Sequence, residues 1–305
     1  MSQASSCKKN VVIVRAGTNS LHTGFLDLPY RERDFDVVVS YYDAEAYVRH
    51  SHEPGVTAHL CPGGKWDGLY RTLSWMGETL ECYDLIWLPD DDIEATAGTI
   101  NRLFELMKTR KLSVGQPSLT PDSYFTHFIF LNCPGTAVRW TNYVEIMVPC
   151  LSRDVLRAVL PHFENNMSGF GLDYIWCRLP ETGEWGAGIL DEVQVNHTRP
   201  VGKFLLSKMS QAGLSPNDEQ AVLDAQYGVS ERITPLIYGM KTAAGKQIFG
   251  LRACCWQMVR AHLAFVMRSP SRSRNYGIGR IYQLIRRQLT RDLDMRPLTR
   301  KGACK

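Results

Sequence analysis

The chain has 305 residues, 44% of them hydrophobic, 22% charged and 10% aromatic, a balance that excludes intrinsic disorder, a collagen-like repeat and a disulfide mini-protein. Its net charge of +4 conceals a division: residues 249–305 hold 13 Lys and Arg against 2 Asp and Glu, whereas residues 1–248 hold 22 against 29. An acidic body joined to a basic tail predicts two kinds of partner.

The nine cysteines are odd in number, scattered and free of any CxxC pair, which speaks against a zinc knuckle or a dithiol redox motif and for reduced thiols in a cytosol. Lys8 and Lys9 precede only four apolar residues, Val11–Val14, before Arg15, short of the ~7–15 of a signal peptide. Arg252, Arg260 and Arg268 interrupt the most apolar late stretch, so no segment reaches the ~20 residues of a spanning helix. The expected location is the cytoplasm, with peripheral attachment to the cytosolic face of a membrane as an option.

Strand and helix signals alternate over the first 120 residues. Val11–Val14, Val37–Val39 and Thr57–Leu60 read as short strands bounded by Gly, Pro or polar residues, as buried parallel strands are. After Pro62-Gly63-Gly64, the residues Trp66, Leu69, Tyr70, Leu73, Met76 and Leu80 recur at helical steps and predict one apolar face. Leu85–Leu88 is a strand that ends in Pro89-Asp90-Asp91-Asp92, followed by a helix over Ile100–Met107 and a strand over Ser113–Gln116. Tyr143–Val148 reads as a strand interrupted by Glu145, Ser152–Leu160 as a Ser-capped helix, and Val193–Val195 as a strand. The pattern predicts an α/β domain over 1–200 with a mostly parallel sheet flanked by helices. Residues 201–305 read as a helical, basic extension, with helices over Lys203–Gln226, Gly250–Met267 and Ile278–Leu293.

Three consecutive carboxylates repel one another, and no fold requires them. At the carboxyl end of a buried strand, Asp90–Asp92 lies where open α/β sheets bind ligands. There a divalent cation with a preference for oxygen would offset the repulsion; the other reading is an acidic turn that caps the next helix. Arg15, Thr18 and Asn19 follow the first strand, where an α/β fold commonly meets a nucleotide. Lys65 stands at a helix start, well placed for phosphate or merely solvated. Asp67 caps its helix or contacts a ribose, with the cap preferred. Glu145, in apolar surroundings, must face solvent or a site. Arg199 is a bidentate phosphate clamp or a surface ion pair.

Asp90-x-Asp92, with the helix Gly64–Leu69 before it, resembles the nucleotide-sugar core of GT-A-fold glycosyltransferases. The ordered set Ala16–His22, Lys65-Trp66-Asp67, Asp90–Asp92, Gly169–Trp176 and Val195–Arg199 resembles domain-of-unknown-function family 707, a glycosyltransferase-like family, over about residues 10–200. The resemblance implies a GT-A-like nucleotide-diphospho-sugar transferase fold. It also implies manganese or magnesium held by Asp90, Asp92 and His197, with Asp173 as catalytic base and Glu145 as second choice. Many relatives in the superfamily carry an acidic pair where this chain has Leu172-Asp173. Otherwise Asp173 would be the cap of the following helix, and His197 a hydrogen-bonded structural histidine.

In the tail, Ile278, Ile281, Tyr282, Ile285 and Leu289 share one helical face opposite Arg280, Arg287 and Arg291. Such a helix either lies on an anionic membrane or packs on the body with its arginines outward; no nucleic-acid motif accompanies the charge. The expected function is metal-dependent transfer of a sugar from a nucleotide-sugar donor to a glycan or lipid-linked acceptor. The alternatives are a metal-dependent nucleotidyl or phosphoryl transferase, and a non-catalytic, membrane-docked nucleotide- or glycan-binding module.

Overall fold

A computed structural model describes residues 8–202, 209–211, 213–231, 233–268 and 277–300. Strand β1 (Asn10–Ala16) is buried along its whole length. It pairs in parallel with β2 (Phe35–Tyr41) on one side and β4 (Leu85–Trp87) on the other, and β3 (Val56–Leu60) lies parallel beyond β2. Val11 and Ile13 of β1 face one apolar cluster, Val12, Val14 and Ala16 the other, the period-two division of a strand covered on both faces. Helix α1 (Ala44–His50), which follows β2, carries no apolar periodicity that announced it and is capped by Asp43.

The first face is covered by α2 (Lys65–Met76), through Trp66, Leu69, Leu73 and Met76, and by α4 (Arg153–Val159). The second is covered by α3 (Ala97–Thr109), through Ile100, Leu103, Phe104 and Met107. Each such buried side chain contributes roughly 1.5–3 kcal/mol, which fixes how α2 presents its N-terminus to the end of β4. β5 (Ile93–Glu94) pairs with β9 (Ala187–His197) beside the main path. β6 (Val114–Leu119), β7 (Thr136–Thr141) and β8 (Cys150–Ser152) complete the central part. The sheet has eleven strands, ten of them in the order β11 (Gln247–Phe249)-β10 (Ile237–Thr242)-β7-β9-β6-β8-β4-β1-β2-β3, with β5 off this path beside β9. Pairing is parallel from β3 to β4 and between β6 and β9, and antiparallel around β8 and from β9 outward.

Two expectations need correction. Residues 143–148 form no strand: the amide of Glu145 donates to the Gln116 side chain, that of Ile146 to Asp173 Oδ1 and that of Val144 to the Asp173 carbonyl. Two side chains and the Asp173 carbonyl thus take the backbone groups a ladder would use. Nor is the extension expected over 201–305 helical throughout. β10 (Ile237–Thr242) and β11 (Gln247–Phe249) extend the sheet beside β7, and α7 (Leu251–Arg268) and α8 (Ile278–Thr290) place Cys254, Met258, Ile281 and Leu284 in the same core as β1. The buried Gln288 of α8 bonds both the amide and the carbonyl of Ile237. Among the described residues, α5 spans the four residues Leu172–Ile175 and α6 spans Pro216–Tyr227; α6 forms the later part of the helix expected over Lys203–Gln226, of which residues 203–208 and 212 lie outside the described residues.

Buried between β7 and β9, Arg139 and Asp191 form a two-point ion pair, Nε–Oδ2 2.7 Å and Nη2–Oδ1 2.8 Å, with both side chains fully enclosed. Arg139 also donates to the carbonyls of Ile129 and Leu131, and Asp191 accepts from the Cys133 amide. The described cysteines are free thiols, all buried but Cys82. Among the described residues no helix is long and apolar enough to cross a membrane.

Candidate metal centre and acid pair

The Asp90–Asp92 turn leaves β4 at the sheet's carboxyl edge, held by the Asp90 amide on the Met147 carbonyl (2.8 Å). Each carboxylate meets its own cation. Lys65 Nζ lies 2.6 Å from Asp90 Oδ1, Arg199 Nη1 3.4 Å from Asp91 Oδ1, and His197 Nε2 3.3 Å from Asp92 Oδ2. Asp91 additionally accepts from the Tyr42 hydroxyl (3.0 Å) and the Gly17 amide (3.4 Å). This pairing explains how three adjacent acids coexist: burial pushes the Asp90 and Asp91 carboxyls up, while Lys65 draws Asp90 back down and Tyr42 and Arg199 draw Asp91 back down.

The register of β5 on β9, Ile93 opposite His197, brings Asp92 to that histidine, and Thr198 fastens the junction by donating to the Asp92 carbonyl through its amide and hydroxyl. Burial alone would lower the His197 pKa; the hydrogen bond and charge of Asp92, with the charge of Asp90, outweigh it and hold it at about 8. Ligand atoms of Asp90, Asp92 and His197 lie within 4.8 Å of one another. The residues fit a divalent cation. Asp92 Oδ1 is buried without a partner. His197 Nδ1 sits 2.9 Å from the Tyr124 carbonyl, an arrangement that turns Nε2 toward the acids, as outer partners do for ligating histidines. An imidazole beside two carboxylates suits manganese better than calcium. Lys65 already engages one Asp90 oxygen, so the ion would compete with that ammonium.

Lys65 also connects the cluster to a second pair of acids. Its Nζ donates to the Ile146 carbonyl (2.6 Å), and the Ile146 amide donates to Asp173 Oδ1 (2.9 Å). Asp173 lies inside α5, whose N-terminal flank is Gly171 at φ 96°; it is buried and caps nothing. Desolvation lifts its pKa to about 7 against the Ile146 and Tyr143 hydrogen bonds. Glu145 is lifted to about 8 by desolvation, which its bond from the Thr126 hydroxyl only partly opposes, and its Oε2 is buried without a partner. Two carboxyls poised near neutrality at a sheet edge are what general acid–base chemistry needs.

The expected nucleotide contacts are brought less closely together. Arg15 is buried, and its guanidinium bonds Ser40, the Cys61 carbonyl (2.6 Å) and the Gly63 carbonyl (2.9 Å); it shapes the loop ahead of α2. Thr18 donates to Asp43, and Asn19 is exposed with its carbonyl on Arg199. Asp67 sits in the first turn of α2, with Gly64 at the cap position, so it is not the helix cap; it pairs with Arg71 at 3.0 Å and leaves Oδ1 buried without a partner. Gly169 (φ 76°) permits the approach of α2: a Cβ there would lie 2.0 Å from Trp66 Nε1. The residues that the sequence did not point to, Tyr42, Thr126, Tyr143 and Ser123, whose Oγ accepts from the His197 amide at 3.1 Å, are ordinary hydroxyl side chains with no local motif.

No family model matches the chain, and no curated protein matches it. Solved structures do. The S. aureus TarS fragment 1–349 is 14% identical, with 92% of this chain and 90% of that one covered at a TM-score of 0.46. The same fragment in complex with UDP-GlcNAc is 12% identical over the same shares, also at 0.46. GalNAc-T7, solved with UDP, GalNAc and Mn2+, is 10% identical; 73% of this chain covers 48% of that chain at a TM-score of 0.50. This last likeness is one of architecture, and with the sheet order above it shows an α/β, GT-A-like nucleotide-diphospho-sugar transferase fold.

Proposed function

We propose that the chain transfers a sugar from a nucleotide-sugar donor to a hydroxyl of a glycan or lipid-linked acceptor, as a member of domain-of-unknown-function family 707. The observation that carries this reading is the Asp90–Asp92–His197 cluster joined through Lys65 and Ile146 to a buried Asp173 with a pKa of about 7. Asp90, Asp92 and His197 would hold manganese or magnesium, which supplies Lewis-acid stabilisation of the charge growing on the leaving nucleoside diphosphate. Arg199, which pairs with Asp91 and donates to the Asn19 carbonyl, would exchange Asp91 for the donor diphosphate. Asp173, ionised above about pH 7, takes the proton of the attacking hydroxyl, and in-line attack then inverts the anomeric centre. Glu145 is the alternative acceptor of that proton.

Incubation with a panel of nucleotide sugars and manganese tests the reaction. Release of nucleoside diphosphate is the expected result. Release of pyrophosphate instead would replace this reading with nucleotidyl transfer, and no turnover of any donor would leave a binding module.

We further propose that the protein docks on the cytosolic face of an anionic membrane. Trp256 (59% exposed) and Met267 (82%) share the outer stripe of α7 with Arg260, and Ile278 (88%) and Tyr282 (63%) share that of α8. Apolar side chains among arginines suit the boundary between acyl chains and headgroups. The paired substitutions Trp256→Glu and Ile278→Glu are expected to weaken sedimentation with phosphatidylserine vesicles at least ~10-fold; unchanged sedimentation refutes the docking.

A further inference from the structure

Three cations answer the three acids of the Asp90–Asp92 turn, and they do not stand in equivalent places. His197 pairs with Asp92 as a member of the metal cluster, and Arg199 pairs with Asp91, which lies outside that cluster. Of the three, only Lys65 sets a permanent positive charge on a cluster ligand, its Nζ 2.6 Å from Asp90 Oδ1. Its side chain is 17% exposed, against 40% for Arg199. Two further contacts hold it: the Ile146 carbonyl at 2.6 Å and the face of the Trp66 ring, whose centre is 5.1 Å away. The ammonium is therefore seated, not merely solvated.

Adjacent acids need a counter-charge, and for Asp90 this lysine supplies it: burial raises the carboxyl's pKa, Lys65 lowers it and Asp92 raises it again. The seat has a drawback at the other end of the side chain. Lys65 is the first residue of α2, where the helix dipole favours an anion and disfavours a cation. Gly64 in the cap position supplies no side-chain acceptor. A diphosphate arriving at this terminus offers the ammonium a second partner of higher charge, and a four-carbon stem is flexible enough to turn to it. Only side-chain bonds need rotate, because Trp66, Leu69 and Leu73 fix α2 in the core.

We propose that Lys65 is a placeholder cation: it holds Asp90 in the donor-free protein and passes to the donor diphosphate when the donor binds, so that Asp90 is released to the metal only with the donor in place. The role rests on the metal-dependent transfer proposed above and adds the order in which that site fills. Metal and nucleotide then strengthen each other's binding through one named side chain, and linkage makes the effect equal in both directions.

The test is calorimetry on the full chain, with manganese titrated into donor-free protein and UDP titrated with and without saturating manganese. It compares the wild type with Lys65→Met, which keeps the apolar stem and removes the charge, and with Arg199→Gln, which removes a neighbouring charge from an acid outside the cluster. Donor-free Lys65→Met is expected to bind manganese at least ~10-fold more tightly than donor-free wild type. The factor by which manganese strengthens UDP binding should fall by the same amount, and Arg199→Gln should gain less. Equal donor-free affinities of wild type and folded Lys65→Met would overturn the placeholder role and leave the metal-dependent reaction standing. An equal gain in Arg199→Gln would also overturn it, because the general field of the turn would then account for the effect. Wild-type UDP binding that does not respond to manganese overturns the hand-over to the diphosphate. Failure of every variant to bind manganese, with UDP present, removes the metal site itself and the placeholder with it.

Discussion

Replacing Asp92 with Asn is expected to lower manganese-dependent turnover of the donor by roughly 10²–10³-fold, the scale at which single electrostatic stabilisers act in transition states. The fold should survive. Asp92 lies next to Asp90 and Asp91, so removing its charge relieves repulsion, and its structural bonds to Thr198 run through the backbone carbonyl, which the substitution keeps. His197→Ala should lose manganese affinity in parallel, because its Nε2 faces the same Asp92 carboxylate. Calorimetric titration of manganese and a product assay read the two effects separately. Full turnover by folded Asp92→Asn protein would remove the metal from the mechanism.

Asp173→Asn should show opposite effects on activity and stability. A positioned general base is worth about 10²–10⁴-fold, so kcat should fall by that order with little change in donor KM. Stability should rise above neutral pH. The carboxyl's ordinary value is 3.8 and the folded value about 7. Between these the folded chain holds a proton that the unfolded chain has released, so stability is complete below about pH 4 and falls as pH rises through 7. The full difference is of order 4 kcal/mol, and Asn removes it. Wild-type protein should therefore melt several degrees lower at pH 8 than at pH 5.5, and Asp173→Asn should narrow that gap. The wild-type kcat/KM should have an acidic limb near pH 7. A limb nearer 8, lost in Glu145→Gln instead, would transfer the role of base to Glu145, whose folded value is about 8.

Much of this site was visible in the residues because its signals are local. Val11–Val14 and Leu85–Leu88 are short apolar runs with sharp ends, and three adjacent acids after the second have no role in a strand. The order of His197 and Asp173 along the chain agreed with the resemblance, and the structure places both near Lys65 and the Asp turn. What was illegible depends on distant partners. Glu145 reads as part of a strand until Gln116 and Asp173 are known to occupy the amides around it. The strand Ile237–Thr242 is short and half-buried, with Gly239 in its middle, and is drawn into the sheet by β7 from about a hundred residues earlier. Arg15 looks like a nucleotide contact from its place after β1, and only the fold shows it bonded to Cys61 and Gly63.

The enclosed pair of Arg139 and Asp191 has a consequence for how this sequence can change over generations. Either residue altered alone strands a charge in the core, a loss of about 3–5 kcal/mol that is a large part of a domain's total of 5–15. Arg139 also carries the carbonyls of Ile129 and Leu131, two and four residues beyond His127 on the segment whose Thr126 bonds Glu145 of the acid pair. A single substitution therefore has to pass through a poorly folded, inactive ancestor, whereas simultaneous replacement by two apolar side chains meets a much lower barrier. The two positions are expected to be inherited as one unit, and reshaping of the neighbouring segment to come from the loop residues before it.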